Sequence, residues 1–401
     1  MDLPPIAAVE VGTSRIRVMV GEIQDEDHVQ VIGLGECPSR GIRKGEIIDF
    51  DAALSCLKIA LDQAEKNADA EIKQVFIPVT GGHIQSVINR GSIPIQGADR
   101  EILPEHVDDV QEIAKAITLP PDREIIHSIC QHYFLDDQEG VVNPIGMEAS
   151  KLTVDMLIVH GSHARMRNLI KLVKSVPLEV QDTPLAGLCA ALAVLVPEEK
   201  ENGALVIDIG GGTIDYLGYA DGMIAVAGSL AVGGDHLTND IARGLGVSFT
   251  NAERIKEHSG SAILNLADRS RKLELAGDSV PDGRVVRLGD LHTITSLRAE
   301  ELLTMVRAFI DQGDLIRRFG AGIVLTGGGA RLDRLDELAE KIFGLNCRVG
   351  KSRDISGLAT VSNQPEYATL TGLLRYAARQ TRRSGTSGGF GGLIKRILGG
   401  G

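Results

Sequence analysis

The chain has 401 residues, 43% of them hydrophobic, which suffices for the cores of two or more domains, and no apolar run nears the roughly 18 residues of a membrane span. A formal net charge of −12 supplies no general basic face and argues against a nucleic-acid partner. Five cysteines without CxxC spacing are expected as reduced core thiols of a cytosolic protein, and an acidic start leading straight into a strand is expected to carry no secretory signal.

In chain order, the first informative stretch is 7–23. Apolar residues lead through Glu10 into X-Gly-Thr and then a strand in which Arg15 and Arg17 alternate with Ile16, Val18 and Val20, the period of a half-buried strand. A helix is predicted near 51–67, with Leu54, Leu57, Ile59 and Leu61 as its apolar side. From 83 to 162 the pattern becomes strand (84–95), helix (104–118) and two strands (124–135 and 149–161), an inserted α+β unit. Helices at 163–175 and 184–196 lead to VIDIGGGTID, 206–215. A glycine triplet leaves amide N–H groups bare and can wrap a phosphate. The flanking Asp208 and Asp215 are compatible with that guest only across a divalent cation. A merely tight hairpin is the competing reading of a lone GGGT, but 7–23 is a second copy, with Glu10 in the place of Asp208. The two copies lie about half the chain apart, so two related halves would clamp one nucleotide between two phosphate hairpins.

Residues 226–319 read as a helical region. A third glycine cluster follows, Gly327 to Gly329, between a buried-type strand (323–326) and an amphipathic helix with Leu332, Leu335, Leu338 and Ile342 on one side. Small residues there would let a flat ring lie against the backbone while the helix N-terminus faces the ligand. The run from Gly344 to Ser352 imitates a Walker A loop, but five residues rather than four separate its glycines, and it reads as an ordinary surface loop. After a helix at 366–379 and a polar linker, Phe390, Leu393, Ile394, Ile397 and Leu398 fall on one helical side with Lys395 and Arg396 opposite. That is a basic amphipathic segment of membrane-surface type. At about nine residues it is below the roughly 12 to 15 that hold a helix in water, so it is expected to fold on meeting anionic lipid. One copy anchors weakly, and many copies on a polymer would hold by avidity. Docking on the protein's own core or on a partner groove is the competing reading.

The order of hairpin, hairpin and glycine–helix turn resembles the actin, Hsp70 and hexokinase superfamily, with phosphate 1 at 7–23, phosphate 2 at 204–222 and an adenosine motif at 322–343. Finer segments resemble the FtsA family: CPSRGIRKGEIID (37–49), VTGGHIQSVINRGSIPI (79–95), HYFLDDQEGVVNPIGM (132–147), VGGDHLTNDIA (232–242) and NAERIKEHSGSA (251–262). The likeness runs from about residue 6 to 378. It implies an α/β, actin-like ATPase fold, two duplicated domains with a nucleotide cleft between them and an inserted α+β 1C subdomain. The implied division is 1–82 with 163–183 (IA), 83–162 (1C), 184–225 with 320–378 (IIA), 226–319 (IIB), a linker at 379–389 and a membrane-targeting helix at 390–398.

The resemblance also implies ATP and Mg2+ as ligands. Glu10, Asp208 and Asp215 would hold magnesium through water. Gly12, Thr13 and Ser14, with Gly210, Gly211, Gly212 and Thr213, would wrap the phosphates, and Gly233 and Gly234 would also meet the nucleotide. Glu253 and Lys256 would contact the ribose, and Gly327, Gly328 and Gly329 the adenine. On spacing alone Glu253 and Lys256 would be a solvated ion pair. Glu10 departs from the aspartate of actin and Hsp70 but is within FtsA habit. Thr183 falls where Hsp70 proteins carry a glutamate, and threonine is a poor base. Asp182 is one position off, so slow hydrolysis at most is expected, with ATP mainly an assembly ligand.

The implied partners are further copies in a filament, the C-terminal tail of FtsZ on the helical region, other division proteins on 83–162, and the anionic membrane surface. Arg298 and Glu301, on a predicted helix 297–310, are the expected FtsZ contact, with a plain solvated helix face as the competing reading. The implied location is the cytoplasmic face of the inner membrane at the division site. The runner-up is a PilM-like pilus-assembly scaffold or another actin/Hsp70-type ATPase. The insertion at 83–162 disfavours kinase and chaperone, and the tail favours FtsA over PilM.

Overall fold

The computed structural model describes residues 4–384 apart from 26–27, 98, 276–284, 312–313, 359–360 and 362. Two sheets of the same build form its centre. In the first, strands Ile6–Val11, Arg15–Ile23 and Val29–Pro38 run antiparallel in succession, and Gln74–Phe76 and then Glu179–Asp182 join in parallel beyond Ile6–Val11. In the second, Ala204–Ile209, Ile214–Ala220 and Met223–Leu230 repeat the antiparallel run, and Ile323–Thr326 and Cys347–Val349 repeat the parallel additions. Both opening hairpins close with the same bond. The amide of Gly12 donates to the carbonyl of Arg15 (3.1 Å), and that of Gly210 to Thr213 (2.9 Å).

The two halves differ in their crossovers, the connections that parallel strands require. The step from Val29–Pro38 to Gln74–Phe76 is made by the helix Phe50–Ala68. The corresponding step in the second half is expanded into Gly234–Leu245, Phe249–Ser259 and Leu288–Ile310. The first sheet also carries a sixth strand, Ile355–Gly357, parallel to Val29–Pro38, and an insertion lies between Gln74–Phe76 and Glu179–Asp182. There the strands Gln85–Pro94, Lys151–Ser162, Arg123–Leu135 and Gln138–Val141 pair antiparallel in that order, and the helix Pro104–Lys115 packs Val107, Val110 and Ala114 on Leu152, Val154, Met156 and Ile158.

The helix Phe50–Ala68 begins where the Asp49 carboxylate accepts from the Ala52 amide, and it ends at Asp69 in the left-handed region. Its buried side is Ala53, Cys56, Leu57, Ala60, Leu61 and Ala64, while Ile59 is 56% exposed. The expected stripe is thus corrected: small residues let the helix lie close to the sheet, and the larger Ile59 points away. The run from Gly344 to Ser352 is likewise no surface loop. Cys347–Val349 is the outer strand of the second sheet, and Ser352 is buried with its hydroxyl 2.8 Å from that of Thr371.

A helix buried at every position, Ala186–Val194, lies between the sheets against the terminal helix, Ala368–Ser384. A Cβ at Gly372 would stand 1.7 Å from the Cys189 carbonyl oxygen, so only glycine allows this approach. Residues of both sheets, among them Ala8, Met19, Val206 and Tyr219, pack on this pair, which makes one core of two halves. The terminal helix follows a 3-10 turn, Pro365–Tyr367, and runs beyond the predicted residue 379. Phe390, Leu393, Ile394, Lys395, Arg396, Ile397 and Leu398 lie outside the described residues. Among those described, no helix is long and apolar enough to cross a membrane, and the five cysteines are unbridged.

Candidate functional site

A cleft of about 620 Å³ opens between the halves and is lined by Gly12 to Ser14, Gly210 to Thr213 and Gly327 to Gly329. A larger groove, about 930 Å³, lies between the inserted sheet and the second half, beside Ile88, Phe134, Asp221 and Phe309. It carries none of the glycine turns.

Three carboxylates face the cleft in different states. Glu10 is raised by burial, an effect offset by Arg17, whose guanidinium lies 3.2 Å from Glu10 and 2.7 Å from Glu36. Arg17 therefore turns inward to an ion pair instead of standing on a solvated strand face. Asp208 is pushed up to about 6, chiefly by burial, and accepts a hydrogen bond from the Thr369 hydroxyl at 2.5 Å. Asp215 is pushed up to about 7 by burial and by the charge of Asp208. The Thr80 hydroxyl lies 2.8 and 2.7 Å from its two oxygens, and the Gly81 amide donates to Ser229 beside them. Asp208 and Asp215 accept from hydroxyls and form no ion pair among the described residues, and oxygen donors of this kind suit a hard divalent cation. Among the described residues, no group of three or more His, Cys, Asp or Glu side chains is arranged to hold an ion by itself.

Glu253 and Lys256 pair at 2.7 Å on the cleft wall, with side chains 34% and 15% exposed. Thr238 joins them, and Lys256 donates to the Gly234 carbonyl at 3.3 Å. The amides of Gly234 and Asp235 donate to the carbonyls of Gly210 and Gly211 at 2.9 and 2.8 Å, fastening the start of Gly234–Leu245 to the second glycine turn. Gly233 is behind this wall, while Gly234 lines it. Gly327 has φ +79°, and a Cβ there would lie 2.2 Å from an oxygen of Asp208. The triplet enters a 3-10 turn, Gly328–Arg331, and the α-helix begins only at Leu335 after Arg334 in the left-handed region. The expectation of an α-helix N-terminus at the ligand is corrected accordingly. Ala299, Leu302, Leu303, Leu332 and Leu335 give that end of the cleft an apolar wall.

Thr183 is not among the lining residues. The neighbouring Asp182 accepts from its amide at 2.7 Å and from the Tyr376 hydroxyl at 2.6 Å, which turns the carboxylate to the terminal helix. Arg298 is engaged within the chain, 2.5 Å from Asp240 and 2.6 Å from Glu301, on a helix that begins nine residues before the predicted start. Sequence reading missed Thr80, Ser229 and Thr369. Isolated hydroxyls carry no spacing signal, although Thr80 belongs to the VTGG segment.

Two like sheets, each opening with a glycine hairpin on a shared cleft, define an actin-like ATPase fold. Solved structures agree: the PilM-PilN type IV pilus biogenesis complex has a TM-score of 0.63 at 14% identity, covering 93% of this chain and 98% of that one. MreB5 of Spiroplasma citri bound to ADP gives 0.58 at 14%, covering 96% and 100%. The family profile described as Cell division protein FtsA matches residues 205–372, and the SHS2 domain inserted in FTSA matches 81–160. The Cell division protein FtsA of Pseudomonas aeruginosa is 34% identical over 377 residues, 94% of this chain and 89% of that one. The chain belongs to the FtsA family of cell division proteins.

Proposed function

We propose that the chain binds Mg-ATP in the cleft, assembles with further copies into actin-like filaments and ties the FtsZ ring to the cytoplasmic face of the inner membrane at the division site. The convergence of three glycine turns, two buried acids that form no ion pair among the described residues and an apolar wall on one cleft carries this reading. The turns Gly12 to Ser14 and Gly210 to Thr213 receive the phosphates through amides other than those of Gly12 and Gly210, which close the hairpins, and Asp208, Asp215 and Glu10 face the magnesium through water. Glu253 and Lys256 take the ribose, and Gly327 to Gly329 the base, with Gly234 at the edge and Gly233 supporting it. ATP acts mainly as an assembly ligand, because Thr183 is no base and Asp182 is held by Tyr376.

Residues 83–162 receive other division proteins. The FtsZ tail meets 226–319, where it competes with Asp240 for Arg298 beside Glu301. Residues 390–398 supply the lipid contact, at about 1 kcal/mol for each of Lys395 and Arg396 over anionic lipid. Co-sedimentation with anionic liposomes plus ATP and Mg2+ tests the anchor, comparing the full chain with one ending at Gly389. The full chain is expected to pellet and the shortened one to stay in solution. Equal behaviour of the two in the supernatant would remove the membrane role and leave a cytosolic nucleotide clamp.

A further inference from the structure

The glycine turns come from three separate stretches, and five residues running from the 3-10 turn Pro365–Tyr367 into the terminal helix reach the surroundings of all three. The Pro365 carbonyl accepts from the Gly327 amide at 3.1 Å and from the Thr326 hydroxyl at 3.0 Å. The Glu366 carbonyl accepts from Arg17 at 3.2 Å, and the Tyr367 ring lies 5.2 Å under the same guanidinium. The Thr369 hydroxyl donates to Asp208 at 2.5 Å. Thr369 is 4% exposed, so that bond lies in low dielectric, where a hydroxyl–carboxylate contact is short and strong.

A helical threonine usually returns its hydroxyl to the carbonyl three or four residues back. Thr371 does so, donating to Ala368 at 3.0 Å, and so does Thr381, to Ala377 at 2.9 Å. Thr369 instead points its proton out of the helix at the acid. We propose that Thr369 is a positioning residue for Asp208, making the first turn of the terminal helix part of the cation side of the cleft. This rests on the nucleotide reading above. The hydroxyl fixes one carboxylate oxygen, which holds the other oxygen in the orientation that serves the cation-bound phosphate. The metal-dependent share of nucleotide affinity is therefore the share that depends on Thr369.

The test is calorimetric titration of the full chain with ATP, once with Mg2+ and once with EDTA, for the parent, Thr369→Val, Thr369→Ser and Thr371→Val. Loss of a hydrogen bond to a charged group predicts that Thr369→Val weakens Mg-ATP binding by about tenfold or more, leaving metal-free ATP within about twofold. Thr369→Ser is expected to keep the parent's magnesium dependence, and so is Thr371→Val, which deletes a buried hydroxyl on the same helix. If the valine variant does not fold, Thr369→Ala removes the donor with less bulk. An unchanged magnesium dependence in Thr369→Val, or an equal loss with and without metal, would overturn the role of Thr369 alone. Failure of the parent to bind ATP in either condition would sink the nucleotide reading, and this role with it.

Discussion

Asp215 shows how burial sets the behaviour of one residue. It is 4% exposed, and its carboxyl holds its proton to about pH 7 against an ordinary value of 3.8. Between those values the folded chain binds more protons at this site than the unfolded chain does, so stability falls as pH rises from about 4 to about 7. Asp215→Asn keeps the shape and an acceptor for Thr80 but removes the charge. In metal-free buffer it is expected to raise the melting midpoint at pH 8 by a few °C over the parent, with little difference at pH 4. A thermal melt across that range checks it, and equal midpoints at pH 8 would contradict the argument. The acids themselves were legible, because an acid beside a glycine turn occurs twice in the sequence. Their partners were not, because Arg17 sits at an outward place in a period-2 count and Thr80 and Thr369 lie far away in the chain.

At the scale of elements, the contact between Ala186–Val194 and Ala368–Ser384 joins the halves, and it depends on a backbone approach. Gly372→Ala would drive a methyl into the Cys189 carbonyl, and the helices must separate to relieve it. A loss of about 3 kcal/mol is expected in urea unfolding, at the upper end for overpacking in a well-filled core. A loss under 1 kcal/mol would mean the helices shift freely past one another. Most elements were legible from periodicity within a few residues at their ends, although Leu288–Ile310 begins nine residues before its predicted start. Two of the misreadings have a plain physical reason. The side of Phe50–Ala68 was assigned to its largest apolar residues, although alanines and a cysteine make the close contact. Cys347–Val349 is three residues long, too short for any period, and its place in the sheet comes from pairing with Ile323–Thr326.

For the whole molecule, the cleft is spanned by direct bonds. Thr80 meets Asp215 and Gly81 meets Ser229, while the inserted sheet is tied to the second half where Ser86 donates to the Ala227 carbonyl at 2.6 Å and Gln131 to that of Ile224 at 2.6 Å. A ligand gripping both hairpins adds to a linkage that already exists, so Mg-ATP is expected to stabilise the halves together. At a hundred times its Kd the gain is about 2.7 kcal/mol, and calorimetry is expected to show a single transition moving upward. Two transitions that move independently would mean the halves do not share the ligand. The sequence by itself determined the duplication, the three glycine turns, the acids beside them and the family, because these are local patterns of residue type and spacing. Only the tertiary structure decided that Arg17 pairs with Glu10 and Glu36, that Asp182 turns to Tyr376, and that Thr80 and Thr369 hold Asp215 and Asp208. Those pairings join residues up to 194 positions apart, and long-range packing around a buried charge, not local spacing, selects the partner.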